Sequence, residues 1–207
     1  MKISAKVTLL AAAAILFGVF TGTAHAAEQD QQVAWNIVKE HSSVGFAVKH
    51  LMVSKVRGVF RNFSGTVKAD KDGRVSYVEG TVKTASVDTG VEKRDNHLRA
   101  PDFFDSAKFP DMTARTNKIT WNGDKFTAET ELTIKGITKT VVLNGEYSGS
   151  HVVNMGQGDT RFAGYTLSAV INRKDFGLNF NAIVNGTIVV DDKVELNGEL
   201  EIASPVK

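Results

Sequence analysis

The chain has 207 residues, 25 Lys plus Arg against 23 Asp plus Glu, and no cysteine. A formal charge of +2 carried by interspersed signs gives no electrostatic case for binding nucleic acid or an anionic membrane surface. Without cysteine, disulfides and a lipid-modified N-terminal thiol are excluded, and the length suits one domain with a sizeable core.

Residues 1–26 read as a cleavable export signal. Lys2 and Lys6 form its positive end, Val7 to Phe20 is apolar apart from Thr8 and Gly18, and Ala24-His25-Ala26 is a small-x-small cleavage pattern. The apolar run is short for a bilayer span, so no stable membrane anchor is expected. Those two lysines are the only formal charges of the segment, so the domain from Ala27 to Lys207 is formally neutral.

Behind the signal the hydrophobic period is two, the mark of strands with one dry face and one wet face. Val44, Phe46 and Val48 alternate with Ser43, Gly45, Ala47 and Lys49; His50 to Lys55 then suggests a short helical turn. Phe63, Gly65, Val67 and Ala69 form the next dry set, ended by the turn pair Asp72-Gly73. Val91 to Phe104 breaks the alternation. Glu92 to Arg99 predicts two helical turns stopped by Pro101, followed by Phe103 and Phe104 among charges. That segment is either a lid at one end of the fold or a surface connection whose phenylalanines cap the core. Beyond the Asn122-Gly123 turn, Phe126, Ala128, Thr130, Leu132 and Ile134 alternate with polar residues up to the Lys135-Gly136 turn. Val141, Leu143, Gly145 and Tyr147 follow, then a polar stretch from Ser148 to Asp159 that reads as a connection. Tyr165, Leu167, Ala169 and Ile171 make another dry face, and Val194, Leu196, Gly198, Leu200 and Ile202 the last. About eight antiparallel strands result. They must close into a barrel or fold into a sandwich to cover the dry side, and periodicity does not choose between the two.

Catalytic patterns are weak. On one strand, adjacent His41 and Ser42 would point to opposite faces and form no Ser–His pair, and no G-x-S-x-G sequence occurs. His41, His50, His97 and His151 lie in different elements without metal-ligand spacing. Glu129/Glu131 and Glu199/Glu201 stand opposite the apolar sets, as solvated outer faces do. Arg94, Asp95, Arg99, Asp102 and Asp105 cluster beside Phe103 and Phe104 and suit either a cavity mouth or a set of surface ion pairs. Arg173 with Asp175 predicts a bridge across one end of the fold.

Four blocks resemble the YceI family, the polyisoprenoid-binding, lipocalin-like exported proteins of bacteria: His41 to Gly65, Ser86 to Pro110, Leu132 to Leu143, and Ile171 to Leu178. The second, with Asp95, His97-Leu98-Arg99 and Asp102-Phe103-Phe104, is the most specific. Asp191-Asp192 departs from the Gly-Asp often found before the last strand. The resemblance implies an all-β, eight-stranded antiparallel lipocalin-like β-barrel with a short helical lid. It implies a periplasmic, non-enzymatic binding protein that takes a long-chain lipid or isoprenoid as ligand, needs no cofactor, and could form a homodimer. On this basis the ligand-contacting wall is expected at Val44, Phe46, Val48, Phe63, Val82, Leu132, Ile134, Leu167, Ala169 and Ile171. Phe103, Phe104 and Phe176 are expected at the mouth, and Arg94, His97 and Arg173 near a head group. The rival expectations are an enzyme acting on such a lipid through His97, and a barrel whose interior is filled by its own side chains.

Overall fold

The computed structural model describes residues 33–154 and 156–206, so the expected signal, residues 1–26, lies outside them. Three of the barrel strands are broken in mid-course. The first is β1 (Val33–Ile37) and β2 (Ser43–His50), separated by a 3₁₀ turn at Lys39–His41. The second is β3 (Ser54–Phe60) and β4 (Phe63–Ala69). The third is β5 (Val75–Lys83) and β6 (Val87–Asp88), parted by a 3₁₀ turn at Thr84–Ser86. Helix α1 (Glu92–Arg99) follows, with the bounds predicted from Pro101. Then come β7 (Asp111–Asn122), β8 (Lys125–Ile134), β9 (Ile137–Asn154) and β10 (Asp159–Asn172). A small hairpin, β11 (Ile183–Val184) and β12 (Thr187–Ile188), precedes the last strand, β13 (Val190–Pro205).

Every pairing is antiparallel, and the ring β1-β4-β5-β7-β8-β9-β10-β13 closes on itself through β1 and β13. β2, β3 and β6 extend three of these strands beyond the breaks, β2 along β13. Counted with their extensions, the strands make a closed eight-stranded barrel, which removes the sheet edges a sandwich would leave open. The dry sets point inward as predicted: Phe126, Ala128, Thr130 and Ile134 are buried along β8 while Lys125, Thr127 and Glu129 are exposed.

Two segments depart from the sequence expectation. His50 to Lys55 contains no helical turn. It is a hairpin in which His50 pairs with Ser54, and Leu51 and Met52 take the left-handed conformation, φ 49° and 61°. Neither residue type signals a positive φ, so the sequence hides this loop. Most of Ser148 to Asp159 is strand rather than connection, because β9 runs to Asn154 and pairs with β10 as far as Asp159. Residues 151–154 are exposed on both faces, so no alternation marks them.

The core divides along the barrel axis. One cluster gathers Trp35, Val67, Val75, Phe126, Tyr165 and Ile202; the other holds Phe46, Phe60, Phe103, Phe104, Ile134 and Phe176. Two phenylalanines lie flat on the wall. Phe46 stands opposite Gly58 and Phe126 opposite Gly145, and a Cβ at either glycine would come within about 2.5 Å of the ring, at 2.5 Å and 2.1 Å respectively. The glycines let these rings cover the wall instead of reaching across the interior.

Candidate functional site

Between the two clusters the barrel is hollow. A cavity of about 490 Å³ runs from Phe126, Tyr165 and Ile202 at depth to Arg94, His97, Phe180 and Val189 at its upper limit. That volume falls within the few hundred to about a thousand Å³ usual for small-molecule sites. The wall is overwhelmingly aliphatic and aromatic, and an apolar void of this kind holds water poorly. A barrel filled by its own side chains is therefore excluded.

The lower end is shut by the turn Asp70–Arg74. Four aromatic side chains donate to its backbone or its flank: Trp35 Nε1 to Asp70 O at 3.2 Å, Tyr147 Oη to Asp72 O at 2.7 Å, Trp121 Nε1 to Val75 O at 3.1 Å, and Tyr165 Oη to Gly73 O. Burial, and then the neighbouring Tyr147, push the Tyr165 phenol well above its ordinary value, so it stays a donor. Gly73 has φ +91°, and a Cβ there would sit 2.7 Å from that of Ala163. Arg74 lies over the Trp121 and Tyr147 rings at 4.9 and 5.5 Å and completes the plug.

The upper end is built by α1 and the two segments after it. The charged residues of this region do not pair mainly with one another; they staple the helix to the barrel. Buried Asp95 accepts from Thr89 N at 2.9 Å and Thr89 Oγ1 at 2.5 Å, and Arg94 Nη2 donates to Thr89 O at 3.0 Å. Arg99 donates to Ala85 O at 2.8 Å and Val87 O at 3.0 Å. Held this way, Phe103 and Phe104 are buried and face the cavity, as a lid would place them. Phe104 meets Phe60 edge-on at 5.6 Å, and Phe60 meets Phe46 at 5.8 Å. His97 is wedged edge-on between Phe103 and Phe180, each 5.0 Å away, with Nε2 3.2 Å from Asp102 Oδ2.

The expected wall residues Val44, Phe46, Val48, Phe63 and Val82 line the cavity, as do Leu132, Ile134, Leu167 and Ile171. Arg94, His97 and Arg173 also border it. Two expected positions do not. Ala169 is buried on the same strand face, but its methyl does not reach the void. Phe176 is at the end of a 3₁₀ turn (Arg173–Phe176), 2% exposed, and packs into the upper core rather than lining the mouth. The expected Arg173–Asp175 bridge does not form either. Arg173 turns inward: Nε donates to Asp191 O at 2.9 Å and Nη1 to Leu178 O at 2.6 Å, while Nη2 reaches Val190 O at 3.3 Å and Asp192 Oδ1 at 3.1 Å. The departure Asp191-Asp192 thus supplies the partner of Arg173. Phe180, absent from the expected set, closes the mouth from a segment with no strand alternation to reveal it; its only sequence signal is the Phe-rich run after Arg173.

His41 and Ser42 lie in and beside the 3₁₀ turn between β1 and β2, so the opposite-faces argument does not apply to them. Both engage Glu201: His41 Nδ1 stands 2.9 Å from its carboxylate, and Ser42 Oγ accepts from its backbone amide at 3.0 Å. The Glu201 hydrogen bond, and after it the Glu201 charge, raise His41 above its ordinary 6.5. The raised value belongs to the folded chain. The pair's support of the fold is therefore complete below pH 6.5 and is lost as pH climbs through the raised value. An NMR titration of the imidazole should give a midpoint above 6.5 that falls back in Glu201→Gln; an unchanged midpoint would break the assignment.

The YceI-like domain model matches residues 35–202. A UPF0312 protein of Staphylococcus aureus strain N315 is 36% identical over 170 residues, covering 79% of this chain and 94% of that protein. Among solved structures, a YceI protein of Campylobacter jejuni is 32% identical with TM-score 0.63, over 77% of this chain and 90% of that one. A polyisoprenoid binding domain from Saccharophagus degradans shares the fold at 15% identity, TM-score 0.55, over 84% of this chain and 99% of its own. The YceI-like match over residues 35–202 and the 36% identity to the Staphylococcus aureus relative, on a closed barrel of the same fold, place this chain in the YceI-like domain family.

Proposed function

We propose that this protein binds the tail of a long-chain amphiphile inside the barrel and carries or sequesters it without turning it over. The supporting observation is the cavity, about 490 Å³ of almost wholly apolar space closed at one end by the Asp70–Arg74 turn. Each methylene buried there contributes about 0.8 kcal/mol, against the cost of ordering a flexible chain. An extended polyisoprenoid, an isoprenoid quinone or a fatty-acid-like chain suits such a wall, and the ligand named for the Saccharophagus degradans domain belongs to that class. At the mouth, Lys49, His50, Arg94 and His97 border the cavity as polar groups a head group could meet, whereas Arg173 is committed to the fold. The leader-like residues 1–26 support export to the periplasm.

Native mass spectrometry of the protein recovered from producing cells, with organic extraction of the same sample, tests both parts. The expected result is a stoichiometric adduct that extracts as a long-chain lipid, on a polypeptide beginning at Ala27. Protein that carries no lipid and takes none up from a lipid mixture would overturn the binding function, and an intact Met1 end would overturn export by cleavage.

A further inference from the structure

We infer that the rim of the cavity mouth is a docking surface for a lipid bilayer, formed by the tips of the β2–β3 and β11–β12 hairpins. The inference rests on the proposed lipid cavity and says where the protein meets the source of its ligand.

The apolar side chains that the described residues leave in water are unevenly placed. Val53 is 84% exposed, Ile183 63% and Met52 51%, and Val184 and Ile188 are exposed as well. All five belong to these two tips. Elsewhere, Val142 and Val170 stand on outer strand faces paired across the sheet with Glu129 and Glu195, Val91 and Ile137 are isolated, and Val152, Val153 and Val206 form a second, less exposed group where β9, β10 and β13 end, at 43%, 39% and 43%. Single exposed residues are ordinary, but a cluster at one end is a recognition feature.

The two tips are physically joined and continuous with the cavity. Leu51 N donates to Val189 O at 3.0 Å, and His50 pairs with Val190. Val189 and Val190 themselves border the cavity. The chain from Asn179 to Val190 holds no charged residue, in a protein with 23% charged residues, and neither does Leu51 to Val53. On that side a hydrocarbon chain leaving the mouth would meet the uncharged β11–β12 hairpin and the residues Leu51 to Val53, with Lys49 and His50 beside them.

Local charge at the tip, unlike the net charge of the chain, fits the same occupant. Lys49 and Lys55 face one another across the β2–β3 hairpin, each two residues behind the apolar tip. Lys55 is tied to Glu195 at 2.6 Å, and Lys49 is exposed. An apolar tip with a lysine collar suits the layered chemistry of a membrane surface, acyl chains below and phosphates above, with the lysine stems spanning the boundary. Leu51 and Met52 are held at positive φ, a conformation L-residues rarely adopt, and the result is a tip whose Met52 and Val53 side chains stay in solvent.

The absence of cysteine makes a positional test direct. The environment-sensitive NBD fluorophore is attached to Val53→Cys, to Val184→Cys, and to Asn122→Cys at the closed end. Each labelled protein is mixed with vesicles of phosphatidylcholine and phosphatidylglycerol. The expected result is a blue shift and a several-fold rise in emission at positions 53 and 184, and none at 122. The double variant Val53→Asp/Val184→Asp should bind vesicles at least about ten-fold more weakly, since acidic residues resist entering the interface. It should keep its fold by circular dichroism and still take up a soluble fluorescent fatty acid. Loss of that uptake in the unsubstituted protein would count against the cavity function and not against docking. Docking is overturned by labels at 53 and 184 that stay in water with vesicles present, which would include attachment through the apolar run Val7 to Phe20. It is equally overturned by a blue shift that needs no vesicles and grows with protein concentration, the mark of a second copy on the tips.

Discussion

Gly80→Phe is expected to empty the protein of its long-chain ligand while leaving the barrel at least as stable as before. Gly80 is in β5 between Val78 and Val82, which both line the cavity, so alternation puts it on the same inner face. Gly80 borders the cavity itself, and a Cβ built on it meets only Ser64 O, at 3.7 Å. Its neighbours across the sheet are Gly65 on β4 and Ala114 on β7, so the flanking positions carry no more than a methyl. A phenyl ring there gains about 1.5–3 kcal/mol from burial, and strand preference adds to it. The same ring takes the place of about seven ligand carbons worth about 0.8 kcal/mol each, so affinity should fall at least about a hundred-fold. Gly80→Ala, which adds one methyl, should leave binding nearly intact. Thermal unfolding together with the extraction assay checks the pair. Normal lipid occupancy in a folded Gly80→Phe protein would mean the tail does not run past β5.

The second large effect is predicted at Arg173. Its side chain is 4% exposed and donates to three backbone carbonyls and to Asp192, tying the turn after β10 to the start of β13. Arg173→Met keeps the bulk and strands those acceptors. Breaking a buried charged network of this kind costs about 3–5 kcal/mol, or roughly 6–20 °C in melting temperature for a chain of this size. Arg173→Lys restores the charge but not the planar fork, since one ammonium cannot reach acceptors on Leu178, Val190 and Asp191 together, and should recover only a minor part. The segment it anchors carries Phe180 and Val189 at the cavity mouth. Ligand off-rates should therefore rise in both variants by more than stability alone explains. A melting temperature within about 2 °C of the parent for Arg173→Met would show that the guanidinium is not the tie.

Much of the barrel was legible along the chain because its strands are wet on one side. Phe126 to Ile134 and Val194 to Ile202 alternate without a break, and both are single strands with their apolar sets inward. Helix α1 was legible at both ends, from loss of alternation and from Pro101. Where two faces share one environment the signal fails. Residues 151–154 are wet on both sides, and Leu51 and Met52 adopt a conformation their side chains do not announce. The charged run from Arg94 to Asp105 was legible as a cluster but not as a staple. Its partners, Thr89 and the carbonyls of Ala85 and Val87, are backbone or small groups that composition leaves unmarked.

By itself the amino-acid order determined an antiparallel sheet with one oily side, one helical interruption and no convincing catalytic set. Whether that oily side enclosed space or filled it was decided only in three dimensions. The same alternation serves both outcomes, and the choice turns on where the large rings go. Phe46 and Phe126 fold onto Gly58 and Gly145 of the neighbouring strands, Phe103 and Phe104 are held at the rim by the stapled helix, and Tyr165 reaches into the closing turn. Those placements depend on residues far apart in sequence meeting across the barrel, which no local pattern records.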